Sequence, residues 1–318
     1  MKNYLDPYRI IALIGLAKNT GKTTTLNTIK TLYKDSIIAI TSIGLDGEKL
    51  DQITALEKPP IKALPNELIA TARACLEGKS YELIKKTSIQ TALGPIMIVR
   101  FKKPEQIIVA GPSTNHDLEK LIKALPAEVE KLFIDGAFNR KTFTSITQVD
   151  ALILSTGAVI GDDLDDVVHK TLTATKLLTS EVDENFDEGL ITLVKEDETI
   201  CLKSKDFQAF NALLTHHDFT RIYIQGAVTN RYVEALLKLK KPITLVIDDM
   251  TKLLIDDKIL DYLNQSTITL KVKQTKPLLF ITMNPFKPFS KPLDKEAFKA
   301  ALKSKIAYPI INVLEKED

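Results

Sequence analysis

The residues best suited to chemistry stand in one short run, Gly21-Lys22-Thr23-Thr24. A lysine ammonium in such a run can bind the β- and γ-phosphates of a nucleoside triphosphate, and the threonine hydroxyl next to it can bind a magnesium ion. A glycine just before them lets the backbone approach a phosphate closely. The run therefore indicates a phosphate-binding site, with Lys22 as its catalytic cation and Thr23 as a metal ligand.

The segments on either side of this run are those that a phosphate site requires. Residues 10–14 are apolar and rich in isoleucine, which predicts a strand buried on both faces. Leu26 and Ile29 lie on one side of the helix predicted to begin near Lys22, and the start of a helix attracts anions through its unpaired amides. Strand, polar loop, Gly-Lys-Thr and helix together are the pattern of the phosphate-binding loop of nucleoside triphosphatases. The residues expected to contact a bound nucleotide are Lys18, Asn19, Thr20, Gly21, Lys22, Thr23 and Thr24.

The loop departs from the usual pattern at one position. That pattern has a glycine separated from the Gly-Lys pair by four residues; here this position is Leu16, while Gly15 stands one place earlier. An ordinary α/β domain with a helix cap and a solvent-facing lysine is therefore the alternative interpretation. Lys18 could add a second positive charge, either in its own subunit or across the interface of a homodimer, or it could simply face solvent.

A magnesium ion at this loop needs further oxygen ligands. Asp135 follows the predicted strand Lys131-Leu-Phe-Ile and is the best candidate for anchoring a metal-bound water, since ligands of open α/β sheets lie at the carboxyl ends of strands. Asp46 and Glu48 follow a second predicted strand, 36–43, and could lie beside the γ-phosphate. We expect Lys22, Asp46 and Asp135 to be catalytic, and Thr23, Asp46 and Asp135 to hold the metal. For both aspartates, a role in a turn is the alternative.

The order of predicted elements indicates an α/β fold. Strands alternate with helical segments, which favours parallel βαβ units in a doubly wound sheet around the phosphate loop. The length of 318 residues suggests two domains. We expect a nucleotide-binding domain over 1–180 and a second, smaller α/β domain over 190–318. Within these, residues 66–76 are predicted to form a helix capped by Asn66, and residues 190–203 a hairpin.

Composition excludes several classes of function. The net charge is +2, so nothing in the bulk electrostatics calls for nucleic acid or an anionic membrane. The two cysteines, Cys75 and Cys201, are far apart and fit a reduced compartment. The sequence has no apolar run of about 18 residues and no signal-peptide pattern at its start. We therefore expect a cytoplasmic protein without a transmembrane helix.

The chain resembles the P-loop ATPases of the SIMIBI type and, among them, the small-subunit family of the factors that reactivate cobalamin-dependent lysine 5,6-aminomutase. The segments that carry the resemblance span nearly the whole chain; they are AKNTGKTTTLN (17–27), TSIGLDGE (41–48), VAGPSTN (109–115), FIDGAFNRK (133–141), YIQGAVTNR (223–231) and ITMNPFKP (281–288). The resemblance implies ATP and Mg²⁺ as ligands, with Lys22, Thr23 and Asp135 in the class positions. It also implies a MutS-like ATPase subunit and a B12-dependent aminomutase as partners.

Three functions are compatible with these residues. The first is an accessory ATPase that helps to exchange damaged cobalamin on an aminomutase, as the resemblance implies. The second is a small-molecule kinase or ligase of cofactor biosynthesis that uses the same loop, and it differs in transferring phosphate to an acceptor other than water. The third is a non-catalytic interaction protein with a degenerate loop, an alternative motivated by Leu16.

Overall fold

The computed structural model describes residues 1–43, 61–136, 148–185, 188–196 and 198–313. The chain divides into two compact units. The first comprises Met1–Thr175 together with Lys276–Asp318, and the second comprises Lys176–Thr275. The protein is of the α/β class, as the sequence predicts.

Within the described residues, nine strands form the sheet of the first unit. Seven of them are mutually parallel, and the last two continue the sheet in antiparallel pairings. In sheet order the strands are β18 (Ile310–Ile311), β17 (Leu278–Asn284), β9 (Ala151–Gly157), β1 (Ile10–Gly15), β8 (Lys131–Asp135), β2 (Ile38–Ser42), β4 (Glu67–Ala72), β6 (Gly94–Arg100) and β5 (Glu82–Thr91).

The order of strands reverses beside β1. From β1 the chain crosses to β2 on one side, whereas β9, β17 and β18 lie on the other side. Ligands of open α/β sheets bind at the carboxyl ends of strands at such a reversal. The topology therefore places the loop after β1 where a ligand site is expected.

Helices and short strands complete the first unit. The helices are α1 (Lys2–Leu5), α2 (Lys22–Lys30), α3 (Asn115–Ala124) and α8 (Lys295–Lys305), and α4 (Leu164–Leu178) carries the chain onward into the second unit. Two further strands, β3 (Ile61–Ala63) and β7 (Glu105–Ile107), pair antiparallel. None of the helices in the described ranges combines the length and apolarity needed to cross a bilayer.

The core of the first unit explains why β1 is so apolar. Ile11 and Leu13 are fully buried and pack in one cluster with Leu26 and Ile29 of α2 and with Phe133 of β8. Burying one such side chain stabilises the fold by about 1.5–3 kcal/mol. The apolar spacing on α2 therefore fastens that helix to the sheet and fixes where its first turn lies.

The second unit has its own sheet and core. In the described part of this unit, the sheet contains the strands β11 (Glu198–Leu202), β10 (Ile191–Lys195), β12 (Arg221–Ile224), β14 (Ile243–Ile247) and β16 (Ile268–Val272), in that order. Its helices are α5 (Phe207–His216), α6 (Asn230–Lys238) and α7 (Asp257–Gln265), and β13 (Val228–Thr229) pairs with β15 (Leu253–Leu254). The hairpin expected over 190–203 is present as the antiparallel pair of β10 and β11.

Two expectations differ from the structure. The predicted helix over 66–76 is wrong, because Glu67–Ala72 forms β4 and only Arg73–Leu76 makes a short 3-10 turn. The chain after Thr275 does not stay with the second unit, to which the sequence assigned residues 190–318. It returns to the first unit, where β17 pairs with β9 and β18 pairs with β17. Sheet pairing decides both differences, and pairing is not visible in local composition.

Candidate functional site

The loop between β1 and α2 depends on two residues with left-handed backbone. Asn19 has φ of 62° and Gly21, the residue that precedes α2, has φ of 91°. Glycine takes this conformation at no steric cost, and asparagine tolerates it better than most residues. The Thr25 amide donates to Gly21 O at 2.8 Å, which closes the first turn of α2. The two left-handed residues turn the chain so that Lys22, the first residue of α2, lies next to Gly15, the last residue of β1.

The first turn of α2 is suited to an anion. Gly21 has no side chain with which to cap the helix, and the first turn contains no acidic residue. The amides at the start of a helix lack partners within the helix and carry partial positive charge. Lys22 stands at the first position of the helix and adds a full positive charge. An anionic group is therefore favoured here by both charge and hydrogen-bonding capacity.

The Lys22 side chain folds back over the end of β1. Its Nζ donates to Ala17 O at 3.0 Å. A Cβ atom at Gly15 would lie 2.4 Å from that Nζ and 2.6 Å from Thr20 Oγ1. A side chain at position 15 would therefore require the end of the Lys22 side chain and the Thr20 hydroxyl to shift. Gly15, which stands one place before the glycine of the usual pattern, is thus the residue over which Lys22 lies. The need for a small residue under the lysine falls on position 15 and not on Leu16.

Two other residues expected to bind ligand have distinct positions in the loop. Thr20 is 1% exposed and its hydroxyl donates to Ala17 O at 3.1 Å, so its side chain supports the loop from within. Lys18 is exposed, while Lys22, Thr23 and Thr24 are partly exposed at the helix start. A ligand at the start of α2 can therefore contact the side chains of Lys22, Thr23 and Thr24. From Thr20 it can contact only the backbone.

Asp135 lies on the strand next to β1. It ends β8, in register with Leu13 of β1 on one side and Ser42 of β2 on the other. Its carbonyl accepts a hydrogen bond from the Ile43 amide at 3.1 Å, and the backbone then turns at Gly136, where φ is 86°. Neighbouring strands are about 4.8 Å apart. Asp135 and the loop between β1 and α2 therefore share the carboxyl edge of the sheet, as the sequence predicts. Asp46 and Glu48 lie outside the described residues.

Asn284 is a residue of the site that the sequence did not single out for this role. It ends β17, and its side-chain Nδ2 donates to Asn19 O in the loop at 2.9 Å. A Cβ atom at Gly21 would lie 3.3 Å from the Asn284 Cβ, and one at Gly157 would lie 2.9 Å from Asn284 O. Glycines at these two positions let three chain segments meet closely. The sequence offers one signal, an asparagine that directly follows an apolar run and precedes a proline.

Buried hydroxyl groups fasten the start of α2 to the sheet. Thr25 Oγ1 and Thr282 Oγ1 are 2.9 Å apart, and Thr282 Oγ1 and Ser155 Oγ are 2.8 Å apart. All three residues are at most 1% exposed. Because buried polar groups that lose a partner are costly, this chain of hydroxyls holds α2 in one position over β9 and β17.

A second loop crosses the carboxyl edge next to Asp135. The Ser42 hydroxyl donates to Val109 O at 2.8 Å and accepts from the Gly111 amide at 2.9 Å. A Cβ atom at Gly111 would lie 1.9 Å from Ser42 O, so only glycine fits. The segment 109–114, which leads into α3, is therefore pinned to the end of β2. It forms the rim of the candidate site on the side away from Asn284.

The far end of α2 carries a buried ion pair. Lys30 Nζ lies 2.8 Å from Glu67 Oε2, with the side chains 2% and 3% exposed. Lys30 also donates to Lys62 O, and the Leu64 amide donates to Glu67 Oε2 at 2.9 Å. Burial lowers the pKa of Lys30 and raises the pKa of Glu67, and the attraction between the two groups opposes both shifts. The pair joins α2 to β3 and β4.

The geometry brings together most of the residues that the sequence selected. The segment from Lys18 to Thr24 forms one loop and helix start, and Asp135 ends the adjacent strand. Among the described residues, no group of three or more histidine, cysteine, aspartate or glutamate side chains could hold a metal by itself.

No family model, curated protein or solved structure matches this chain. The chemistry of the site therefore has to be inferred from its own residues.

Proposed function

We propose that this protein binds and hydrolyses ATP in the presence of Mg²⁺, through a phosphate-binding loop formed by residues 15–24. The observation that supports this most directly is the position of Lys22. This lysine begins α2, and its Nζ lies 3.0 Å from Ala17 O in the preceding loop. There the lysine is held by a backbone carbonyl, which a phosphate oxygen can replace as acceptor. The carboxyl edge on which it lies also carries Asp135.

Each residue then has a defined task. The first-turn amides of α2 bind phosphate oxygens, and Lys22 neutralises charge that develops on the β- and γ-phosphates. The Thr23 hydroxyl and the Asp135 carboxylate suit Mg²⁺, which takes oxygen ligands and keeps several waters. Mg²⁺ held by these residues would offset the negative charge of the phosphate oxygens. The absence of the guanine-specific sequence Asn-Lys-x-Asp favours adenine as the base.

Isothermal titration with Mg-ATP tests this function. The full chain should bind ATP, and Lys22→Ala should lower the affinity at least tenfold, because the cation at the phosphates is lost. Lys34→Ala removes the same charge from an exposed position just beyond α2 and is the matched control. Equal binding by the wild type and Lys22→Ala would exclude the proposed site. Release of phosphate to water, rather than to an added acceptor, separates the ATPase from a kinase or ligase.

The biological role we propose, reactivation of a B12-dependent aminomutase together with a MutS-like ATPase subunit, is supported by the sequence resemblance alone. Its test is recovery of activity by an inactivated aminomutase when this protein, the partner subunit, ATP and fresh cobalamin are added. The Lys22→Ala variant is the control. Recovery that is equal with the wild type and the variant would exclude a role for ATP bound at this loop.

A further inference from the structure

The loop that follows β17 is fastened to the candidate phosphate loop. Asn284 donates to Asn19 O through Nδ2, and its Oδ1 accepts from the Phe286 amide at 3.1 Å. One asparagine side chain thus joins the backbone of the phosphate loop to the backbone of Phe286. The loop is closed by the Leu293 amide, which donates to Pro285 O at 2.9 Å, and Lys287 Nζ donates to Gly161 O at 2.7 Å.

This loop carries two exposed aromatic rings. Phe286 is 56% exposed and Phe289 is 85% exposed. Phenylalanine is among the residues most often buried in proteins. Here the backbone that carries the rings is held by hydrogen bonds at several points, so the rings are presented on a fixed support.

The strand order indicates on which side of β1 the γ-phosphate and the base of a bound nucleotide would lie. Asp135, the proposed metal residue, ends β8 on one side of β1, whereas Asn284 ends β17 on the other side, beyond β9. Metal and γ-phosphate lie together in nucleoside triphosphate sites. With the γ-phosphate toward β8, the sugar and base extend toward β9 and β17. That is the side on which the two phenylalanines are found.

We infer that Phe286 stacks on the base of the bound nucleotide and so makes the site selective for nucleosides over bare phosphate chains. This inference rests on the proposed function. We assign the stacking role to Phe286 rather than to Phe289, because the Phe286 amide donates to Asn284, whose side chain also donates to the loop at Asn19 O. A ring that stacks contacts the face of a base and not its edge, so it does not by itself distinguish one base from another. The ligand class is a nucleoside triphosphate.

Fluorescence provides a direct test, because the protein contains no tryptophan. Phe286→Trp and Phe289→Trp each introduce a single reporter into the full chain. Mg-ATP should quench the tryptophan at position 286 and leave that at 289 nearly unchanged, while inorganic triphosphate should quench neither. Quenching at 289 alone, or at 286 by triphosphate as strongly as by ATP, would overturn the inference.

Affinities measured by titration separate this inference from the proposed function. Phe286→Ala should weaken Mg-ATP about tenfold and leave inorganic triphosphate unaffected, whereas Phe286→Tyr should retain the wild-type affinity. Phe289→Ala, on the same loop, is the matched control, and thermal melts verify that each variant is folded. If Lys22→Ala abolishes binding but Phe286→Ala binds ATP normally, the stacking role is wrong and the proposed function stands. If Lys22→Ala binds both ligands like the wild type, the proposed function itself is wrong.

Discussion

Lys22 lies across Gly15, so that the lysine Nζ occupies the space into which any side chain at position 15 would project. The two residues are seven positions apart and meet because the loop between them turns back at Asn19 and Gly21. Glycine at position 15 therefore leaves room for the ammonium group, which donates to Ala17 O. This contact leads to the first prediction.

Gly15→Ala should weaken Mg-ATP binding about tenfold, because the new methyl group displaces the lysine from its position at the helix start. Titration of the variant measures this effect. If the methyl group acts through the lysine, the double variant Gly15→Ala/Lys22→Ala should bind no more weakly than Lys22→Ala alone. Additive losses in the double variant would show that Gly15 acts on the loop in another way.

Asn284→Ala should destabilise the protein by about 1–2 kcal/mol, because Asn19 O loses its donor where the two segments meet. It should also weaken ATP binding, since the loop loses its support. Chemical denaturation and titration measure the two effects. Asn66→Ala is the matched control, because the Asn66 side chain also donates to a backbone carbonyl, that of Lys34, but at an exposed site and at 3.4 Å. Similar losses in both variants would contradict a special role for Asn284.

Lys30→Met should cost about 3–5 kcal/mol of stability, because Glu67 is then left as a buried charge without its partner. The double variant Lys30→Met/Glu67→Leu should recover most of this loss, since it removes both charges. Denaturation curves of the three proteins provide the comparison. Lys79→Met, which breaks the partly exposed pair with Glu105, should cause a much smaller change. A double variant less stable than Lys30→Met would contradict this account.

Asp183 should make the second unit sensitive to acid. Burial opposes ionisation of this carboxyl, but hydrogen bonds from Arg221 Nε at 2.9 Å and from Asn185 hold its pKa below the ordinary value. A carboxyl whose pKa is lower in the folded state stabilises the fold above its unfolded pKa, about 4, and this stabilisation is lost as the pH falls through the lower folded value.

Asp183→Asn should therefore lower stability by about 2 kcal/mol at neutral pH and flatten the decline of stability below about pH 4. Denaturant midpoints measured across this range test both effects. Asp218→Asn removes an exposed carboxylate paired with Lys241 and is the control. An unchanged acid limb in Asp183→Asn would show that other carboxyls set the acid sensitivity.

Local sequence was sufficient for the elements whose pattern is unambiguous. Three features could be predicted locally, because burial on both faces and the start of a helix have strong local signatures. They are the apolar run of β1, the Gly-Lys-Thr sequence and the aspartate that ends β8. The same holds for the hairpin of β10 and β11. These elements sufficed to predict the edge of the sheet on which the candidate site lies.

Other features could not be predicted, because they depend on distant pairing. Residues 66–76 contain a capping asparagine and several helix-favouring residues, yet β4 forms because its neighbours β2 and β6 supply hydrogen-bond partners on both sides. Asn284 meets Asn19 across 265 positions, and only the order of strands brings them together. No change of composition near residue 275 indicates that the chain leaves one sheet and returns to another.

The return of the chain after Thr275 has a consequence for biosynthesis. Strand β17, which carries the Asn284 anchor, emerges from the ribosome only after the hundred residues of the second unit have been made. Until then, β9 lacks its partner β17 at one edge of the sheet, and pairing across so long a separation is slow. The candidate site is thus completed only after β17 has been made, and a nascent chain that stops before Asn284 would lack the donor to Asn19 O and would expose a strand edge that chaperones can bind.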